Sequence, residues 1–73
     1  MTKLGEYLDK RTVNRAGVSR KTGISKTRLS ELSNNDKTLL RADELYLIAL
    51  AIEANPCELL EYVCNDLKLN NRE

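Results

Sequence analysis

One stretch of this 73-residue chain, TVNRAGVSRKTGISKTRLSELSNN at positions 12–35, constrains the fold more than any other. At its centre is Thr22-Gly23-Ile24-Ser25. Gly23 takes the positive φ of a helix C-terminus without steric cost. Ile24 is an apolar plug in the turn, and Ser25 is a good N-cap for a helix beginning at Lys26. Two short helices joined by a tight turn are therefore predicted, the second over about residues 26–33. That helix carries apolar Leu29 and Leu32 at i, i+3, while Lys26, Thr27, Arg28, Ser30 and Glu31 occupy its other faces.

A helix held down by two leucines, with long polar side chains from its first turn, is built to present those side chains. This is the form of a helix-turn-helix whose second helix enters a DNA major groove.

The surrounding composition favours a bundle of helices. The three tyrosines are the only aromatics, so the core must be aliphatic. There is one proline, and β-branched residues never alternate over the length of a strand, so an all-α fold is expected. Seventy-three residues make one domain near the lower size limit for a core without staples. No apolar run approaches the roughly 20 residues of a membrane span, and a signal-peptide pattern is lacking, so a reducing cytoplasm is the expected compartment. Cys57 and Cys64 fall seven residues apart on one expected helix, about 10 Å at the helical rise and too far for an intrachain disulfide. With no histidine and two cysteines, neither a zinc site nor any other cofactor is expected.

Along the chain, a first helix over residues 3–10 is predicted, with Thr2 as N-cap and Leu4 and Leu8 inward. Tyr7 flanks them with its hydroxyl near the surface. Gly5 weakens this helix by roughly 1 kcal/mol relative to alanine and is read as permitting a close approach. Asn14 caps a second helix over about residues 15–21, where Val13 and Val18 are placed for a hydrophobic staple. Residues 33–37 are expected as a loop, with Asn34 or Asn35 suited to a left-handed cap. Leu45, Ile48, Ala49 and Ile52 form the strongest helical stripe, over about residues 42–53, with Asp43 and Glu44 favourably placed in the first turn. Tyr46, Leu47 and Leu50 lie off that stripe. Asn55-Pro56-Cys57-Glu58 is a near-complete start signal for a fifth helix to about residue 67, with Leu59, Leu60, Val63 and Leu67 inward. Residues 68–73 form a polar, frayed tail outside the domain of residues 1–67.

Charge is divided unevenly. Up to Arg41 there are ten bases against four acids, a net +6; beyond it two bases face seven acids, a net −5. The basic part coincides with the two-helix motif, as a phosphate-facing surface requires.

With these residues placed, the chain resembles the Cro and repressor-like (Xre) family of helix-turn-helix proteins. The likeness rests on Val18-Ser19, Gly23, Ile24, Ser25, Leu29, Ser30 and Leu32, and on DELYLIALAI followed by EANPCELLEY. It spans about residues 3–64. Ser19, Thr12, Asn35 and Ser33 depart from the family's frequent Ala, Gly, Gly and Glu. The resemblance implies a compact five-helix, lambda-repressor-like DNA-binding domain with helices two and three forming the motif. It also assigns base reading to Lys26, Thr27 and Arg28, with Glu31 one turn on. Arginine can engage guanine O6 and N7 bidentately, and Thr27 offers a methyl to thymine. Glu31 either accepts from cytosine N4 or pairs with Arg28 at i, i+3. Ser30 touches a base edge or a phosphate. Asn14 and Arg15 resemble the phosphate clamp at a helix N-terminus; Asn34, Asn35, Lys37 and Arg41 would hold the backbone on the other side. Lys10, Arg11 and Lys21 are read as solvated surface charges.

The leading expectation is a small sequence-specific transcriptional regulator, a repressor, that binds double-stranded DNA as a homodimer on half-sites about 34 Å apart. Tyr62, Cys64 and Leu69 are candidates for the dimer contact, or else ordinary core filling. The competing expectation is an antitoxin-like module whose acidic second half covers a protein partner. An enzyme fits worst: there is no histidine, no phosphate-cradling loop and no carboxylate pair placed to share a cleft.

Overall fold

A computed structural model describes residues 1–70. They form five α-helices: α1 Lys3–Lys10, α2 Arg15–Thr22, α3 Lys26–Asn34, α4 Ala42–Ala51 and α5 Pro56–Cys64. Four start where a capping side chain was expected. Thr2 Oγ1 accepts from Gly5 N, Asn14 Oδ1 from Gly17 N, Ser25 Oγ from Arg28 N, and Asn55 Oδ1 from Cys57 N. Each bond satisfies a backbone N–H that the helix itself leaves without a partner.

The core is aliphatic, formed by Leu4, Leu8, Val18, Ile24, Leu29, Leu32, Leu45, Ile48, Ala49 and Leu59. Ile24 fills the turn between α2 and α3, and Gly23 caps α2 at φ 80°. α1 packs on α3 and α5, α2 on α3 and α4, and α4 on α5. α3 thus rests on α1 and α2, and its remaining surface is left outward.

The start of α1 meets the end of α3. Thr2 donates twice, from its N to Ser33 O (2.9 Å) and from its hydroxyl to Leu32 O (2.7 Å). One residue therefore caps α1 and satisfies carbonyls in the last turn of α3. Gly5 faces the same carbonyl: a Cβ there would fall 2.3 Å from Ser33 O. This is the close approach that Gly5 permits.

The helix ends differ from the reading of the sequence. α3 continues through Ser33 to Asn34, and neither Asn34 nor Asn35 has a positive φ; Asn35 is extended at φ −111°. Its Oδ1 accepts from Lys37 N, closing a side-chain turn that replaces the left-handed cap. Left-handed residues occur instead at Thr12 (φ 50°) and Glu53 (φ 59°). Both follow a helix with the same paired bonds, Val13 N to Leu8 O with Thr12 N to Asp9 O, and Ala54 N to Ala49 O with Glu53 N to Leu50 O. This is the Schellman motif, occupied twice without glycine. It stops α4 at Ala51, short of residue 53, and leaves Ile52 half-buried.

α5 ends at Cys64, not at 67. Leu59 is fully buried, but Leu60 is 49% exposed and Leu67 71% exposed, so neither of those two points inward. Leu60 is turned about 100° from Leu59 around a helix of 3.6 residues per turn, and Leu67 lies beyond the last turn. The expected tail is described only to Asn70, without regular structure; its last three residues lie outside the described part.

Candidate nucleic-acid interface

α3 buries Leu29, Leu32 and Ser33 and exposes Lys26, Thr27, Ser30, Glu31 and Asn34. The 3.6-residue period puts 29, 32 and 33 on one side and 27, 30, 31 and 34 on the other, while Lys26 is exposed as the first residue of the helix. Lys26 stands in the first turn of α3, exposed and outside every ion pair among the described residues. Glu31 is likewise in no ion pair there, so of the two roles considered for it the pairing with Arg28 is not formed.

Arg28 is engaged elsewhere. Its Nε and Nη2 donate to the two carboxylate oxygens of Glu44, each at 3.0 Å, and Nη2 also donates to Leu39 O at 2.9 Å. The guanidinium thus lies between α3, the following loop and the start of α4, with its side chain 32% exposed. In this arrangement Arg28 is not extended as a base reader. A two-pronged carboxylate partner satisfies the planar fork better than solvent does.

Glu44 is the residue that reading the sequence missed. Only 6% exposed, it also accepts from Arg41 N at 3.0 Å. The Arg28 hydrogen bonds are the main cause holding its carboxyl below the usual glutamate range, against a desolvation that would raise it. In return, Arg28 is held above its ordinary value. A signal was present: Glu44 precedes Ile48 by four residues and so shares the apolar side of α4 with Leu45, Ile48 and Ala49.

The expected backbone contacts are also distributed differently. Arg15 Nη2 donates to Asp9 Oδ1 (2.8 Å) and Gly5 O (3.4 Å), which turns the side chain toward α1. Arg41 pairs with Asp43 at 3.2 Å, and that pairing pulls the Asp43 carboxyl down. Asn14 uses its Oδ1 on the α2 cap. Asn34 Nδ2 donates back to Ser30 O at 3.0 Å, and Asn35 Oδ1 serves the turn. Lys37, exposed in the loop, keeps its ammonium out of every ion pair among the described residues.

Of the residues considered for a dimer contact, Tyr62 is used within the chain. Its ring meets Tyr7 edge-on at 5.2 Å, and its hydroxyl donates to Glu6 Oε1 and accepts from Lys10 Nζ. Cys64 is half-buried, whereas Leu69 is 90% exposed. Among the described residues no helix is long and apolar enough to cross a membrane, and no group of metal-ligating side chains occurs.

Two short helices set by a glycine turn, the second anchored by leucines and polar outward, define a helix-turn-helix DNA-binding domain. The family model for the Cro/C1-type HTH DNA-binding domain matches residues 3–65, and the chain belongs to that family. Neither curated proteins nor solved structures gave a match.

Proposed function

We propose that this protein is a sequence-specific transcriptional repressor that lays α3 in the major groove and binds as a homodimer. The observation that carries this reading is the outward face of α3. Lys26, Thr27, Ser30 and Glu31 are all exposed on a helix fixed by Leu29 and Leu32, with an unpaired ammonium in its first turn. These side chains offer a cationic donor, a hydroxyl with a methyl, and a carboxylate acceptor, which suit guanine, thymine and cytosine edges. Lys37 supplies the phosphate contact beyond α3. Asn14 does so at the start of α2, where helix N–H groups also face an anion. Arg28 leaves the reading set and Arg15 the phosphate clamp, because Glu44 and Asp9 hold them.

A helix of nine residues reads few base pairs, so two copies on adjacent half-sites supply the selectivity. The exposed Leu60, Leu67 and Leu69 support a contact at α5 and the tail. The same reading makes the chain a binding protein, in keeping with a sequence that has no histidine.

Selection of bound sequences from random duplex DNA at physiological salt tests the proposal. An enriched motif with two-fold symmetry is expected. Absence of any motif would remove the regulator reading, and co-purification of a second small protein would then favour the partner-covering alternative.

A further inference from the structure

Glu44 lies on α4, away from the recognition helix in sequence, yet its carboxylate is the polar link between the two. α3 and α4 do not pack directly on each other. Between them the Arg28 fork spans to both Glu44 oxygens at 3.0 Å and to Leu39 O at 2.9 Å. Glu44 Oε1 takes a further bond from Arg41 N at 3.0 Å. The loop of residues 35–41 is thereby fixed at both ends. Its first half is tied to α3 through Asn35 N to Glu31 O, and Thr38 N closes a turn on Asn35 O. Its second half is tied through Leu39 O and Arg41 N, while the Leu39 side chain is 80% exposed and contributes no burial there. Removing the carboxylate would leave the Arg28 fork and Arg41 N without their shared acceptor.

We propose that Glu44 is a positioning residue for DNA recognition. Through Arg28 it sets the first turn of α3 and the loop carrying Lys37 as one rigid unit, so that base reading and backbone contact are gained or lost together. The inference rests on α3 being the reading helix. Its physical ground is that a bidentate guanidinium–carboxylate pair fixes both distance and angle, which a lysine ammonium does not.

The test compares the full chain with Glu44→Gln and Arg28→Lys, each alone and combined with Lys37→Ala. Binding is measured on the enriched duplex and on unrelated duplex across a salt series. Thermal unfolding is recorded alongside, and hydrogen exchange of the backbone amides is measured without DNA. Both single variants should bind the enriched duplex about tenfold or more weakly and lose about one unit of the logarithmic salt slope, the loss of one phosphate contact. Lys37→Ala should then cost much less in either variant than in the unaltered chain. Exchange at residues 37–41 should quicken while α5 is unchanged.

Tighter binding by Glu44→Gln, with a new guanine in the motif, would overturn the proposal and make Arg28 a reader that Glu44 restrains. Lower thermal stability with unchanged affinity and slope would overturn it as well. If the unaltered chain enriches no motif, the regulator reading fails separately, and exchange in Arg28→Lys decides the positioning role. Should Glu44→Gln fail to fold, Arg28→Lys carries the comparison, because it keeps the charge and removes only the fork.

Discussion

Arg28 and Glu44, sixteen residues apart in the chain, meet through two hydrogen bonds of 3.0 Å at the junction of α3 and α4. Glu44 is buried and Arg28 partly so. The pair therefore affects folding as well as the posture of α3. Replacing Glu44 by glutamine leaves the guanidinium without its counter-charge, and a loss of about 1–2 kcal/mol is expected, less than for a fully buried pair because Arg28 reaches solvent. Urea denaturation of both forms at neutral pH measures it.

The same pair makes stability depend on pH. The Glu44 carboxyl titrates lower in the folded chain than in the unfolded one. Its contribution is thus fully present above the ordinary glutamate pKa and fades as the pH falls through the lower value of the folded chain. Asp43 and Asp66, lowered by Arg41 and Lys3, act in the same direction from the surface. Unfolding midpoints should fall on acidification, and Glu44→Gln should flatten that fall.

Gly5 and Gly17 should respond oppositely to alanine. At Gly5 the new Cβ meets a backbone carbonyl at 2.3 Å, which cannot yield without moving α1 from α3. A loss of about 2–3 kcal/mol is expected from this overpacking. At Gly17 the nearest atom is a flexible arginine end at 3.7 Å, and a gain of up to about 1 kcal/mol is expected from helix propensity. Thermal melts of the two variants separate the cases.

Ser33 is fully buried and its hydroxyl has no partner among the described residues. Ser33→Ala should raise stability by about 1 kcal/mol, the desolvation cost of an unmade hydrogen bond. A drop in the melting temperature would mean that the hydroxyl is satisfied in solution.

On DNA, Lys26→Ala and Lys37→Ala should differ in kind. The first should relax the enriched motif at one position, a loss of about 1–3 kcal/mol of discrimination. The second should weaken binding to all duplexes alike and lower the salt slope by about 0.9. Identical behaviour of the two would show that reader and clamp are wrongly divided.

By itself the sequence determined the parts whose causes are local. Thr2, Asn14, Ser25 and Asn55 cap helices because a short polar side chain reaches a backbone N–H two or three residues ahead. Gly23 turns the chain because it alone needs no Cβ there, and the α4 stripe at Leu45, Ile48 and Ala49 is buried because a helix brings those positions to one side. Tertiary structure decided everything that depends on where distant segments arrive. It sent Arg28 to Glu44 and Arg15 to Asp9, set Gly5 against Ser33, and left Leu60 and Leu67 outside. A long cationic side chain serves a phosphate, a base or a carboxylate equally well by its chemistry. Which one it meets within the chain is fixed only by the path that brings a partner within about 3 Å, and no spacing along the chain encodes that path.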